Sequence, residues 1–93
     1  MRLFIKVHGR VQGVGYRAYV KRIADSLELK GWVRNSEDGH VEISVEGRAN
    51  TLNKFVKLIK IDSKNGPSVM HVDVQKCDNR RIKSAAENSF IVL

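Results

Sequence analysis

The residues best suited to chemistry lie in one glycine-rich segment near the N-terminus, GRVQGVGYR, from Gly9 to Arg17. Its glycines permit backbone conformations in which successive N–H groups converge, and such groups form a concave site for anions. A helical pattern begins directly after the segment, and the free N–H groups of a helix N-terminus also favour a phosphate. A tight strand-to-helix turn would use the same glycines, and on the glycines alone that turn is the stronger interpretation.

Two arginines shift the balance towards an anion site. Arg17 lies in the first turn of the predicted helix, where a cation opposes the helix dipole. Arg10 lies in the same segment, and no acidic residue separates the two. Such a concentration of positive charge lacks a structural reason unless an anion binds there. The guanidinium of Arg17 has the fork geometry that grips two phosphate oxygens, although an exposed surface arginine is the competing interpretation.

Hydrophobic periodicity predicts the elements that must position this segment. Alternating residues predict strands over 2–8, 31–35, 40–46 and around Met70, Val72 and Val74, with a short fifth strand or a frayed end at 90–93. In the third strand we expect Val41, Ile43 and Val45 to face inward and Glu42, Ser44 and Glu46 to face outward. Two apolar stripes predict helices, one with Val20, Ile23, Ala24 and Leu27 and one with Leu52, Phe55, Val56 and Ile59. Asn50 is expected to cap the second helix, and residues 77–88, which are polar and basic, are expected to form a loop.

The order β-α-β-β-α-β predicts one α+β domain over residues 1–93, a ferredoxin-like sandwich with an antiparallel sheet and two helices on one face. In this arrangement the first and second strands run in the same direction, with the third between them. The loop after the first strand and the end of the second therefore share one edge, roughly 10 Å apart. Asparagine is common before a hairpin turn for backbone reasons, so Asn35 is a candidate only because the fold places it beside the glycine-rich segment.

Composition limits the kinds of partner and compartment. A net charge of +7 and a pI near 9.9 favour anionic partners, namely phosphorylated metabolites, nucleic acid or a membrane surface, without choosing among them. The single cysteine, Cys77, excludes an internal disulfide. The N-terminal apolar stretch is too short for a signal peptide, and no apolar run approaches the about 20 residues that a membrane span needs. We therefore expect a cytoplasmic protein.

Two motifs carry a family resemblance. The segment Val7–Arg17, VHGRVQGVGYR, closely resembles the phosphate loop of the acylphosphatase family. The segment GWVRN at 31–35, followed by DGHV at 38–41 and by Gly47, resembles the second signature of that family. The resemblance covers residues 3 to about 60. It departs at position 16, where the family usually has phenylalanine, and the added hydroxyl of Tyr16 needs a partner if it is buried.

The resemblance implies a metal-independent acylphosphatase that hydrolyses carboxyl-phosphate mixed anhydrides to a carboxylate and inorganic phosphate. Arg17 matches the arginine that binds the phosphoryl group together with the loop amides, and Asn35 matches the asparagine whose side-chain amide orients the attacking water. The phosphate-binding residues are then Arg10, Val11, Gln12, Gly13, Val14, Gly15, Tyr16 and Arg17. No cofactor and no covalent phospho-enzyme is implied, and the phosphate of the substrate accepts the proton of the water. We expect a monomer without a membrane partner.

The histidines do not suggest a metal site. His8, His40 and His71 are isolated along the chain, and each is interpreted as a surface or packing residue.

Two other functions remain open from the sequence. RNA-binding modules share this fold but carry stacking aromatics on their central strands. Here the third strand has no aromatic residue and exposes two glutamates, and Phe4 is the only aromatic on the first strand, so nucleic-acid binding is the weaker alternative. A non-catalytic role or an acyl- or carbamoyl-transfer role is the other alternative, because similar modules occur within larger carbamoyl-transfer proteins. The short free-standing chain argues against it.

Overall fold

A computed structural model describes residues 1–77 and 89–93. The elements are β1 (Arg2–Arg10), α1 (Tyr16–Ser26), β2 (Lys30–Asn35), β3 (Val41–Glu46), α2 (Ala49–Ile59), β4 (Ser68–Cys77) and β5 (Phe90–Val92). The strands form one sheet in the order β4-β1-β3-β2-β5. The predicted ferredoxin-like α+β fold is confirmed. The short β5 pairs with β2 in parallel, so the sheet is mixed, whereas the other three pairings are antiparallel. Apart from Cys77, the loop predicted at 77–88 lies outside the described residues.

The register fixes which strand ends share an edge. In β3, Val41 pairs with Val7 of β1 on one side and with Asn35 of β2 on the other. Both flanking strands are antiparallel to β3, so β1 and β2 run in the same direction. The end of β1, with the glycine-rich segment that follows it, and the end of β2 therefore lie at one edge, as the sequence predicts.

The core lies between one face of the sheet and the two helices. Both predicted helical stripes are buried against the inward residues of the three central strands, because each helix has a single apolar side. The residues that make up this buried core are Leu3, Ile5, Val7, Val11, Tyr16, Val20, Ile23, Ala24, Leu29, Val33, Val41, Ile43, Val45, Leu52, Phe55, Ile59 and Phe90.

The predicted outward face of β3 needs one correction. Ser44 alternates with the inward residues as expected, but only 3% of its surface is exposed. The guanidinium of Arg2 lies over it and donates a hydrogen bond from Nη1 to the Ser44 hydroxyl at 2.9 Å. The other end of the same guanidinium pairs with Glu46 at 3.0 Å. A long side chain on the neighbouring strand thus buries a polar residue that alternation alone places in solvent.

The fourth strand lies where Met70, Val72 and Val74 predict it, but its apolar residues are unevenly buried. Met70 is 83% exposed and Val74 is 46% exposed, whereas Val69 and Val72 pack against the core. The β1–β4 register shifts between His8 and Gly9, and this bulge breaks the alternation of inward and outward residues. Gly9 is required at the bulge, because its φ is 135° and a Cβ there would collide with the backbone oxygen of Ser68.

The start of α2 is the third difference. Arg48 occupies the N-cap position, and no side chain forms a cap hydrogen bond there. Asn50 lies inside the first turn, where its side-chain oxygen accepts a hydrogen bond from the N–H of Thr51 at 2.9 Å. The prediction that Asn50 caps this helix is therefore wrong by two positions.

Candidate active site

The glycine-rich segment presents a run of unpartnered backbone donors. Gly13 and Gly15 have φ values of 73° and 79°, in the left-handed region that glycine adopts without strain. Gly15 is the N-cap of α1, and neither a side-chain cap nor an acidic residue satisfies the first turn. No described backbone carbonyl accepts a hydrogen bond from the N–H groups of residues 12–18. The loop and the helix N-terminus therefore form a continuous set of donors suited to an anion.

A cavity of 220 Å³ opens beside these donors. The residues that line it are Val11, Gly13, Gly15, Tyr16, Arg17, Ala18 and Val92. The side chain of Arg17 is partly buried, and its Nη1 donates a hydrogen bond to the backbone oxygen of Leu93 at 2.8 Å. This bond holds the guanidinium beside Leu93, the residue that follows β5, and Arg17 lines the same cavity as the loop glycines. An anion in this cavity would meet both the amides and a permanent positive charge.

Asn35 ends β2 and contributes an unsatisfied acceptor. Its side-chain oxygen is buried and has no hydrogen-bond partner among residues 1–77 and 89–93. A buried carboxamide oxygen that lacks a partner is unfavourable, and such atoms in native proteins call for an explanation. Asn35 lines a second depression, of 550 Å³, together with residues of the following turn. The fold therefore brings Asn35 and Arg17 to one edge, but each lines a different cavity.

Gln12 connects the loop to the hairpin that carries Asn35. Its Nε2 donates hydrogen bonds to the backbone oxygens of Ser36 and His40, each at 2.8 Å. The turn has its own bonds as well: the Ser36 hydroxyl accepts a hydrogen bond from the His40 N–H at 3.2 Å and donates one to Asp38. This last bond lowers the pKa of the Asp38 carboxyl below its ordinary value. The connection through the Gln12 side chain was not predicted from the sequence.

Arg10 points away from the loop cavity. Its Nε donates to the backbone oxygen of Gly66 at 3.0 Å, and its Nη2 donates to the backbone oxygens of Ser63 and Lys64 at 3.1 and 3.2 Å. The guanidinium therefore holds the segment between α2 and β4. Arg17 lines the loop cavity, whereas the described hydrogen bonds of the Arg10 side chain go to the 63–66 segment.

The hydroxyl of Tyr16 has the partner that its burial requires. It donates a hydrogen bond to the backbone oxygen of Ile59, in the last turn of α2, at 2.8 Å. Burial, followed by the nearby Tyr19, raises the pKa of the Tyr16 hydroxyl far above its ordinary value, so it remains a neutral donor. Tyr19 makes a matching bond to the backbone oxygen of Leu58 at 2.7 Å. The hydroxyl that distinguishes Tyr16 from phenylalanine therefore fastens α1 to α2.

The three histidines, which are isolated along the chain, pack together in space as surface residues of neighbouring segments. His8 pairs with His71 in the register, and the His8 and His40 ring centroids are 3.9 Å apart. Asp73 joins two of them, with contacts of 2.7 Å to Nε2 of His71 and 3.0 Å to Nε2 of His8. These bonds, that of His71 first, lower the pKa of Asp73. Only the strand register could have revealed the cluster from the sequence.

The cluster does not have the geometry of a metal centre. Within the described part of the chain, no group of three or more histidine, cysteine, aspartate or glutamate side chains is arranged to hold a metal ion.

No helix of the described residues is long and apolar enough to cross a membrane.

Known proteins share both the sequence and the fold. The sequence model of the family described as Acylphosphatase matches residues 3–90. An acylphosphatase from Bacillus subtilis is 43% identical over 87 residues, which cover 94% of this chain and 92% of the relative. One from Methanospirillum hungatei is 43% identical over 75 residues, which cover 81% of this chain and 82% of the relative.

A solved structure extends the similarity to three dimensions. The crystal structure of acylphosphatase from Bacillus subtilis aligns with a TM-score of 0.82 at 37% identity, and the alignment covers 99% of this chain and 97% of that one. The family match, the identity of these relatives and the shared architecture agree with one another. The chain belongs to the acylphosphatase family and is an enzyme of that kind.

Proposed function

We propose that the enzyme cleaves acyl phosphates by holding the phosphoryl group against the amides of residues 12–18 and the guanidinium of Arg17, while Asn35 orients the attacking water. The observation that carries the proposal is the run of unpartnered backbone N–H groups beside a cavity that Arg17 also lines. Donors fixed in this way need no reorganisation when negative charge shifts onto the phosphoryl oxygens and the leaving group.

The reaction exchanges one bond to phosphorus for another. The water oxygen forms a bond to phosphorus as the bond between phosphorus and the carboxylate oxygen breaks. The carboxylate leaves with the electron pair of that bond, and the water proton passes to a phosphoryl oxygen, which gives inorganic phosphate. A carboxylate is a good leaving group, so positioning and charge stabilisation supply most of what the step needs.

Asn35 suits the water because it ends β2 at the edge that also carries the loop, and its carboxamide can both donate and accept a hydrogen bond. A water held by this carboxamide turns a lone pair towards the phosphorus. Asparagine also carries no charge, so it does not repel the anionic substrate as a carboxylate would. Asn35 therefore acts on the nucleophile, whereas Arg17 and the loop amides act on the transferred group.

The remaining loop residues either offer backbone N–H groups to the phosphate or hold the loop in place through their side chains. In this proposal Gln12, Gly13, Val14, Gly15, Tyr16, Arg17 and Ala18 offer N–H groups to the phosphate. The contacts of Arg10 with the 63–66 segment support an anchoring role and remove it from the proposed ligands. We propose that a monomer is the active form, because the loop and the end of β2 that carry the proposed site lie at one edge of the same sheet. The free thiol of Cys77 is compatible with the proposed cytoplasmic location.

The test is hydrolysis of benzoyl phosphate by the purified protein, followed by the loss of its ultraviolet absorbance, with and without excess chelator. We expect turnover that chelation leaves unchanged, with competitive inhibition by inorganic phosphate. Because Arg17 and the loop amides supply the positive charge, no step depends on a metal ion. Absence of turnover would refute the proposal, and a large loss in chelator that magnesium or zinc restores would refute its metal-independent form.

A further inference from the structure

We propose that Gln12 is a positioning residue that sets the placement of Asn35 relative to the phosphate loop. The inference rests on the proposed function and deepens it, since it assigns to the Gln12 side chain a role separate from the backbone N–H of the same residue. Gln12 does not contact the reacting atoms in this assignment. It acts through the hairpin that Asn35 leads into.

The contacts of Gln12 determine the orientation of its carboxamide. Two backbone carbonyls, of Ser36 and His40, lie at 2.8 Å from the same nitrogen. Carbonyl oxygens only accept, so the NH₂ group must face them, and each of its two hydrogens serves one acceptor. Among side chains of this length, only glutamine places two such donors on one atom without adding a charge.

The two acceptors bracket the turn that follows Asn35. Ser36 and His40 are the residues on either side of the tip, and the Ser36 N–H already donates to the His40 oxygen at 2.9 Å. The hairpin therefore closes without help from Gln12. What Gln12 adds is a fixed relation between this hairpin and a loop that lies 24 to 28 residues earlier in the chain.

Asn35 depends on that relation because no hydrogen bond fixes its side-chain oxygen. That oxygen is buried without a partner in the described part of the chain, so the backbone of β2 and the packing around it decide where the carboxamide lies. Asn35 and Arg17 also line separate cavities, so their relative placement depends on how the hairpin is held against the loop. A displacement of about 1 Å between the water site and the phosphate site is enough to cost roughly a hundredfold in rate.

The test replaces the amide and keeps the shape of the side chain. Gln12→Met should lower kcat for benzoyl phosphate about tenfold and change KM and the inhibition constant of phosphate less than about twofold, because the loop amides and Arg17 remain. Gln12→Glu, which offers oxygens in place of the donors, should lose at least as much. Gln75→Met is the matched control, since Gln75 is exposed on β4, and its kcat should match that of the wild type.

A double mutant distinguishes positioning from general stabilisation. If Gln12 acts through Asn35, then Gln12→Met introduced into Asn35→Ala should lower kcat by less than about twofold further. A full additional tenfold loss, or an unchanged kcat in folded Gln12→Met, would overturn the inference. Thermal melts of each variant identify the folded proteins, and the Gln12→Glu variant serves if Gln12→Met does not fold.

A readout independent of activity separates this inference from the proposed function. In a ¹H–¹⁵N spectrum, Gln12→Met should shift or broaden the side-chain NH₂ resonances of Asn35, whereas Gln75→Met should leave them unchanged. An inactive wild-type protein would refute the proposed function, and the spectrum would still test the coupling. Unchanged Asn35 resonances in Gln12→Met would refute the coupling even if the wild type is fully active.

Discussion

Replacing Arg17 with alanine is the most direct test of how the phosphoryl group is held. A charge-assisted hydrogen bond contributes about 1.5–3 kcal/mol, and a fork that grips two oxygens loses two of them. Because Arg17 is partly exposed and water screens its charge, we take the lower end, about 3 kcal/mol. That value corresponds to a loss of roughly a hundredfold in kcat/KM.

The contact between Arg17 and Leu93 shapes the expected result for a milder change. Nη1 already donates to the backbone oxygen of Leu93 at 2.8 Å, so one end of the guanidinium is held and a fork on the phosphate uses its other nitrogens. Lysine keeps the charge but lacks the planar fork, so it cannot grip two phosphate oxygens while it also holds the Leu93 oxygen in this geometry. We expect Arg17→Lys to recover part of the charge effect and to remain at least about tenfold below the wild type.

Arg10 provides the matched control for Arg17. Arg10→Ala removes the same charge from the same segment, but the side chain it removes is bonded to three backbone oxygens of the 63–66 segment. We expect kcat/KM within about threefold of the wild type and a loss of about 1–2 kcal/mol in unfolding free energy. Steady-state hydrolysis of benzoyl phosphate and urea melts measure both. Equal losses of activity at Arg10 and Arg17 would mean that diffuse charge binds the phosphate, and would refute the specific fork.

Five further substitutions, at Asn35, Tyr16 and two glycines, test other parts of the site. Asn35→Ala should lower kcat on the order of a hundredfold with KM nearly unchanged, and Asn35→Asp should be at least as inactive. A normal kcat in folded Asn35→Ala would show that Asn35 has no catalytic role. Tyr16→Phe should reduce the unfolding free energy by about 1 kcal/mol and leave kcat unchanged, and a loss of activity without a loss of stability would contradict the contact to Ile59. Gly9→Ala should lower the unfolding free energy by more than about 2 kcal/mol. Gly15→Ala should lower it by only about 1 kcal/mol because of the positive φ, since a Cβ there meets nothing within 4 Å. Equal urea midpoints for the two variants would contradict the role assigned to Gly9.

Most of the fold was predictable because its signals are local. Each helical stripe and most strand faces follow from a period of 3.6 or 2 residues, and the shared edge of β1 and β2 follows from the order of the elements. The errors arise where tertiary structure overrides the period. The β1–β4 bulge exposes Met70, and the guanidinium of Arg2 covers Ser44. Neither effect can be predicted from the sequence of the strand on which it occurs, β4 for Met70 and β3 for Ser44.

The sequence names the residues of the candidate site, but it does not show the contacts that hold them. The glycine pattern and the position of Arg17 indicate an anion site, and the topology places Asn35 at the same edge. By contrast, the direction of a long polar side chain depends on residues far away in the chain. Arg10 bonds to a segment more than fifty residues later, and Gln12 bonds to a turn in the next hairpin. The sequence identifies these side chains but not the distant residues that accept their hydrogen bonds.

These contacts account for the residue types that stand between the glycines of the glycine-rich segment. The side chain of Arg10 holds the 63–66 segment, Val11 is buried in the core, Gln12 holds the hairpin, and Tyr16 reaches α2. With those side chains committed to anchoring, the surface left to a ligand is the main chain, together with the guanidinium of Arg17. A loop held at four points keeps its N–H groups in place, so the donors do not have to be ordered when the phosphoryl group binds. Anchoring and binding are thus divided between side chain and backbone of the same residues. Substitutions that preserve the backbone, such as Tyr16→Phe, should therefore affect stability before they affect turnover.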